Sequence, residues 1–580
     1  MRRHLNRISR RRFLRAAGAA IVSGSSRNTA LATLGCGQSE PGSRSILADA
    51  VEGRAVWSEA VPAPNLVPEQ EGQTPSYWCT WGAQATTLKD PKAGGQMAAA
   101  DNLNETLVFK DPGWLTHYFD KVRKDLFVVY DGGWDVPLGQ DFTGSGRWRL
   151  GSFVVAVDKF PSCAGTPAER LTKLNAMTQE AQWRGAGVWA AAQDYEDDRD
   201  GRLLSHERMV NDITNHARWS RQAGVNYWKC DYGARGNDPK FRRLVTDICR
   251  EEAPSVIVEH ARTSGPVNDE ACPWDQVPRV VHHSGRFATW DDGRVLAEAL
   301  ELLTLSSVLR TYDVIQQFRV VSTLDRVAQL VANKPVTATG DGGLLLCEDQ
   351  VYLGAGLGCA MGIMRTSLSQ PRPRYDDPDD VTHRIDEVVR AVRWQRLAPA
   401  VPAWQTEAHL DSRVLMDDWY FQKGESNVKW LTGQDVRQGA PARVSRGMPL
   451  PTISGEGEPP YVIASRHPRG AISLATLPRV SPSRGFYLPL VDVAIGIGEG
   501  NMPVGVFGHY RSLTLTLTED LGSRRVWAQD LAGDTAVDVS ARVEKQGKSL
   551  ILSGKLIDQV GCAAASPGDI SNPGLVLKLT

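Results

Sequence analysis

Long hydrophobic runs are missing from this 580-residue chain: no stretch of eighteen or more apolar residues occurs, so no segment is expected to span a bilayer as a helix. Charge of one sign is missing too. The 66 basic and 67 acidic residues leave a formal net charge of −1, and no global field draws nucleic acid or an anionic membrane surface. The nine cysteines, at 36, 79, 163, 230, 249, 272, 347, 359 and 562, include no Cys-x-x-Cys pair and no zinc spacing. One or two disulfides are compatible with them, in a connectivity the spacing does not reveal. No Gly-rich phosphate turn follows the first strand candidate, which reads Cys79-Thr80-Trp81-Gly82-Ala83 and so argues against an open nucleotide-binding sheet. That strand also lacks the His-x-His of a metal-dependent hydrolase barrel. His282-His283 are adjacent, would point to opposite sides of a strand, and are read as loop. No metal or cofactor is expected, and no internal repeat is present.

What is present begins at the N-terminus. Ser9-Arg10-Arg11-Arg12-Phe13-Leu14-Arg15 precedes a weakly apolar run, Ala16 to Val22, with a small-x-small site at Ala30-Leu31-Ala32. This order matches a twin-arginine export signal over residues 1–33, an address read by the twin-arginine machinery and not an anchor. It predicts a periplasmic or extracellular protein. Cys36 leaves a lipoprotein site as an alternative. Residues 34–74 read as a Pro- and Glu-rich lead-in. The remaining length needs at least two domains, and 17 tryptophans supply flat rings of the kind that stack on sugars, although most such rings belong to cores.

From residue 75 to about 404, short apolar runs alternate with amphipathic segments. Strands are expected at Tyr77–Trp81, Leu126–Tyr130, Gly187–Ala191, Tyr227–Asp231, Val256–Glu259, Ser307–Arg310, Pro335–Thr339 and Met361–Met364. Helices are expected between them, among them Ala168–Arg184, His206–Gln222, Lys240–Glu252, Leu296–Leu303, Val320–Ala332 and Asp349–Cys359. Eight strand–helix units predict an α/β fold, a (β/α)8 TIM barrel. Residues 268–293 read as a loop inserted after the fifth strand. From 405 to 580 alternation replaces helical periodicity, as in Tyr461–Ala464 and Leu513–Leu517, which predicts a C-terminal antiparallel β-sandwich.

Barrels place their chemistry at the C-terminal ends of the strands. The first four relevant ends carry Trp81, Asp131 with Trp134, Lys229 with Asp231, and Glu259; the sixth carries Arg310 and Asp313. This set suits glycoside hydrolysis, whose oxocarbenium-like transition state needs one ionised carboxylate and one protonated acid about the sugar. Lys229 lies two residues before Asp231, so both side chains point to one side of a strand, where the ammonium would keep Asp231 ionised. Asp313, beside Tyr312, is placed as the acid.

The motifs Asp131-Gly132-Gly133-Trp134, Lys229-Cys230-Asp231, Arg310-Thr311-Tyr312-Asp313 and Gly340-Asp341-Gly342-Gly343-Leu344, taken in order, resemble glycoside hydrolase family 27, the α-galactosidases, and the related family 36. The resemblance covers roughly residues 75 to 400. It implies a retaining mechanism with Asp231 as nucleophile and Asp313 as acid/base, and Trp81, Asp131, Trp134, Lys229, Glu259 and Arg310 around a carbohydrate substrate. Three departures stand out. Gly132 replaces a second acidic residue, which widens the glycone candidates from galactose to sugars such as β-L-arabinopyranose. Arg310 and Asp313 are one residue closer together than in the family. Arg286–Asp292 also resembles the acid segment, which keeps Asp291 and Asp292 as alternatives to Asp313. A non-catalytic carbohydrate-binding barrel is the alternative from another functional class.

Overall fold

The computed structural model describes residues 64–580 except 89–95, 141–150, 193–194, 198–201, 204, 232, 234, 237, 263–300, 303, 312–320, 326–350, 366–382, 402–405, 421–434 and 482–484. The expected signal, the segment 268–293, the strand Pro335–Thr339 and the turn Gly340–Leu344 therefore lie outside the described residues.

The first domain is built on a sheet of eight strands: β1 Tyr77–Cys79, β2 Phe127–Tyr130, β3 Gly185–Ala190, β4 Tyr227–Cys230, β5 Ile257–Arg262, β6 Val308–Thr311, β7 Val321–Thr323 and β8 Met361–Ile363. β1 to β6 lie side by side in chain order and parallel, and β8 returns parallel to the other side of β1. That succession, with the last strand beside the first, is the barrel topology. Helices follow the strands: α1 Pro167–Glu180, α2 His206–Ala223 and α3 Pro239–Glu252, then α4 Val351–Leu357 and α5 Asp386–Leu397. Their ends follow local chemistry. Thr166 and Glu169 form a capping box with Pro167 in the first turn, Asp238 caps α3 ahead of Pro239, and Gly224 closes α2 in the left-handed region at φ 67°.

Part of one expected helix is a strand, while Val320 and residues 326–332 of it lie outside the described residues. Val320–Ala332 was expected to be helical, yet Val321–Thr323 is a strand antiparallel to β8. The β-branched Val321 and Thr323 favour extended backbone locally. The chain then crosses the seam towards β6: Leu324 N–H donates to Ala360 O, Asp325 N–H donates to Leu309 O, and the Asp325 carboxylate accepts from Leu309 N–H at 2.6 Å.

Strand side chains divide between two cores by parity. Trp78, Val128, Tyr130, Trp228, Val258 and Leu309 face the helices, whereas Tyr77, Cys79, Phe127, Val129, Tyr227 and Val308 fill the lumen.

The C-terminal part is a two-sheet sandwich. One sheet of eight strands runs from Ala408–Leu410 to Val537–Asp538, and a five-stranded sheet includes Asp492–Gly498, Ser512–Leu517 and Ser549–Ser553. Its core joins Val462, Leu474, Val506 and Leu577 to Val493, Leu513, Leu515 and Leu552. The sheets are mostly antiparallel, with three parallel pairs. The reason is topological: between Arg443–Arg446 and Tyr461–Arg466 the chain visits the other sheet at Thr452–Ser454 and returns in its original direction.

The two domains share an interface made by α4 and α5. A Cβ on Gly356 would come within 3.0 Å of Ala475, Trp394 meets Phe507 edge-on, and Arg390 grips Asp530 through two bonds of 2.9 and 3.1 Å. The lead-in also crosses it, since Leu66 N–H donates to Gln529 and Gly72 N–H to Asp125. Cys562 is disulfide-bonded, and Cys79, Cys163, Cys230 and Cys249 are buried thiols.

Candidate active site

Asp131 and Asp231 each stand one residue beyond the end of a strand, β2 and β4, at the C-terminal face of the barrel. Lys229, inward-facing on β4, reaches both: its ammonium lies 2.8 Å from Asp131 Oδ2 and 3.1 Å from Asp231 Oδ2. All three side chains are almost fully buried. The two carboxylates thus share one cation in a poorly solvated place, where Coulomb attraction is far stronger than in water.

Each carboxylate is fixed further. Asp131 accepts from the Cys79 thiol at 3.0 Å and from Gly132 N–H at 2.8 Å, and its own N–H donates to Thr80 Oγ1. Burial and the neighbouring Asp131 charge push the Cys79 thiol well up, so it stays protonated as the donor. Asp231 accepts from the Trp189 indole N–H at 3.3 Å, and its N–H donates to Ala190 O. Trp189 sits opposite Lys229 in the β3–β4 register.

Glu259 lies deeper. It is fully buried, and β5 continues three residues beyond it to Arg262. Tyr77 Oη donates to one of its oxygens at 3.1 Å and Tyr227 Oη to the other at 2.6 Å. Arg310 Nη1, also fully buried, donates to Tyr77 Oη at 2.7 Å. Burial raises the Glu259 carboxyl above its ordinary value, against the opposing pull of Arg310, Lys229 and the Tyr227 hydroxyl. Below the mouth there is therefore a second polar layer, of Arg310, Tyr77, Glu259 and Tyr227.

Of the residues expected at the site, Asp131, Lys229 and Asp231 come together directly. Trp81 opens the short helix Trp81–Thr86, half-buried, and packs over the lumen cluster. Glu259 and Arg310 lie in the layer beneath. Trp134 is fully buried in the outer core, edge-on to Phe153, its indole N–H bonded to Trp189 O. Asp313, Asp291 and Asp292 lie outside the described residues. Sequence reasoning missed Cys79, Trp189, Tyr77 and Tyr227. Strand parity was the available signal, because all four share the inward face with Lys229. Among the described residues no cluster of His, Cys, Asp and Glu could hold a metal ion, and no helix is long and apolar enough to cross a membrane.

No family model matches the sequence, and no curated protein matches it. Solved structures similar to it include a β-L-arabinopyranosidase of glycoside hydrolase family 27 from Geobacillus stearothermophilus. It is 11% identical, the match covers 88% of this chain and 96% of that one, and the TM-score is 0.34. An α-galactosidase from Saccharomyces cerevisiae, solved with raffinose, is 11% identical over 87% of this chain and 98% of that one, with a TM-score of 0.30.

Proposed function

We propose that the protein is an exported, retaining glycoside hydrolase of α-galactosidase type, with Asp231 as its nucleophile. The observation that carries this reading is the Lys229 ammonium held between Asp131 and Asp231 at the C-terminal face of the barrel. A nucleophilic carboxylate must be ionised, aimed and shielded from bulk water, and a buried ammonium with an indole N–H supplies the first two. In the first step an Asp231 oxygen bonds to the anomeric carbon while the acid, Asp313 in this reading, gives its proton to the departing glycosidic oxygen. In the second, water attacks the same carbon, Asp313 takes a proton from it, and Asp231 leaves. Asp131 accepts three of the roughly four hydrogen bonds a carboxylate can take, which leaves one acceptor position for a sugar hydroxyl.

Gly132 bears on the glycone. A Cβ there would meet nothing within 4 Å among the described residues. This space suits a sugar that forgoes one polar contact of galactose, such as β-L-arabinopyranose. The twin-arginine pattern at Arg10–Arg12 supports export.

The test is a panel of aryl α- and β-glycosides with Asp231→Asn as the blank. Hydrolysis with a first-formed product of retained configuration, seen by proton NMR, is expected, with the blank inactive. With Asp231→Gly, azide should restore cleavage of an activated substrate and give an inverted glycosyl azide. An inverted sugar from the native enzyme would demote Asp231 to a general base, and an active Asp231→Asn would end the proposal.

A further inference from the structure

The strand-four carboxylate is only as well aimed as the backbone that carries it, and that backbone is gripped from behind by one side chain. Arg242 is in the first turn of α3 and is completely buried. A cation there faces the positive end of the helix, an unfavourable placement by itself. Its guanidinium is compensated by carbonyls instead. Nε donates to Gly236 O at 2.7 Å, Nη1 to Cys230 O at 2.8 Å, and Nη2 to Asp231 O at 3.1 Å and to Ala261 O at 2.7 Å. The same Nη1 lies 3.1 Å from His260 Nδ1, and His260 Nε2 lies 2.7 Å from Thr246 Oγ1. Arginine can only donate, so Nδ1 accepts and Nε2 carries the hydrogen. Burial and the charge of Arg242 drive His260 well below its ordinary range, which keeps the imidazole neutral and able to accept.

We propose that Arg242 is the positioning residue of the candidate nucleophile. It ties the ends of β4 and β5 to the loop that follows Asp231, and so fixes the Asp231 carboxylate against the Lys229 ammonium. With Asp231 N–H bonded to Ala190 O, both main-chain polar groups of Asp231 are held, one by β3 and one by Arg242. Gly233 lies close against β3's far end: a Cβ on it would fall 2.2 Å from Ala192 O. No other residue type spans these four carbonyls, because only the planar guanidinium fork offers donors in several fixed directions.

This inference rests on the reading of Asp231 as nucleophile, and the experiment separates the two. Arg242→Lys keeps the charge and volume and loses most of the four bonds. Arg242→Met serves as the more severe variant. Both are measured on 4-nitrophenyl α-D-galactoside and 4-nitrophenyl β-L-arabinopyranoside, in the native background and in Asp231→Gly rescued by azide. In the native background Arg242→Lys should lower kcat about ten- to a hundred-fold with KM within three-fold. In the Asp231→Gly background azide replaces the carboxylate that Arg242 aims, so Arg242→Lys should change the rescued rate by less than two-fold. An equal loss in both backgrounds would show a general structural role and overturn the proposal, as would native kcat in Arg242→Lys. If Arg242→Met does not fold, the Lys variant decides alone through the same comparison. Activity surviving in Asp231→Asn would instead sink the reading beneath it, whatever Arg242 does.

Discussion

Replacing Glu259 by Gln tests what the second polar layer is for. The change keeps shape and volume and removes one charge. In the folded protein the Glu259 carboxyl titrates above its ordinary value of 4.5 despite two nearby cations and two phenol donors. Burial therefore disfavours its ionised form more than those partners favour it, and a neutral amide avoids that cost. The amide must still satisfy both phenols, so one tyrosine hydroxyl has to turn and accept from the new NH2, at about 0.5–1.5 kcal/mol. The net effect near pH 5 is expected to be within about 1 kcal/mol of native stability. The pH dependence has a definite sign. Below 4.5 Glu259 is protonated in both folded and unfolded states, so its contribution to native stability is fully present there. As pH rises through the raised folded value, the unfolded chain holds fewer protons on this group than the folded one, and native stability falls by up to about 1.4 kcal/mol per pH unit. Glu259→Gln lacks this loss, so it gains on the native protein as pH rises above 4.5. Glu259→Ala leaves two buried phenols without an acceptor and opens a cavity, and should cost about 3–5 kcal/mol. Urea unfolding of all three proteins at several pH values reads these differences. In catalysis, a framework role leaves KM within about three-fold for the Gln variant. A residue bonded directly to the sugar would lose about 1.5–3 kcal/mol of charged hydrogen bonding, ten-fold or more in kcat/KM. A Gln variant that is destabilised by more than about 3 kcal/mol, or that loses ground as pH rises, would refute the reasoning.

Lys229→Met leaves Asp131 and Asp231 buried together without their cation, and should cost about 3–5 kcal/mol of stability and nearly all activity, read by urea unfolding and by the glycoside assay. Lys229→Arg should not restore activity, because a planar fork cannot replace a point charge 2.8 and 3.1 Å from two separate carboxylates. At the domain interface, Arg390→Met strands the buried Asp530 and should cost about 3–5 kcal/mol, whereas the double variant Arg390→Met/Asp530→Leu should recover at least half of it. Equal losses in the single and double variants would show that the pair acts through volume and not through charge.

The strand ends were legible where a turn signal follows immediately. Asp131 precedes Gly132-Gly133, and Lys229-Cys230-Asp231 ends at Gly233, so strand, end and parity could be read together. The strand that carries Glu259 is longer than its sequence suggests, for a definite reason. His260, Ala261 and Arg262 carry no turn residue, yet the strand was expected to stop at Glu259; it runs on to Arg262 and leaves Glu259 mid-strand, inside the lumen. The strand Val321–Thr323 is hidden in the sequence because it is only three residues long and the apolar spacing of Leu324 to Ala332 reads as helical. Trp134 shows the limit of composition. A tryptophan in a turn beside an acid suggests a sugar platform, but Gly133 at φ 102° turns the backbone against Ala100, where a Cβ would come within 2.5 Å, and the ring is carried into the core. In each of these three, pairing or packing against distant residues completes what the local residues leave open: β4 and β6 flank Glu259's strand, β8 pairs with Val321–Thr323, and Ala100 meets Gly133.

The same packing explains why a charged layer can exist under the mouth. Tyr77 and Tyr227 are too large to share a barrel lumen with side chains of ordinary size, and each is matched by a glycine. A Cβ on Gly362 would fall 2.6 Å from Tyr77 Oη, and one on Gly187 would fall 2.8 Å from Tyr227 Cβ. Large opposite small is how narrow barrels are filled, and here it brings both phenols to opposite oxygens of Glu259. Lys229 lies directly across from Glu259 in the β4–β5 register, so the ammonium has a carboxylate below it and two at the mouth. The Lys229 ammonium thus lies between the two mouth carboxylates and Glu259, whose carboxyl is held by the Tyr77 and Tyr227 hydroxyls. The two glycines therefore make the room in which both phenols hold Glu259 beneath the Lys229 ammonium, and a side chain at either would disturb that layer first.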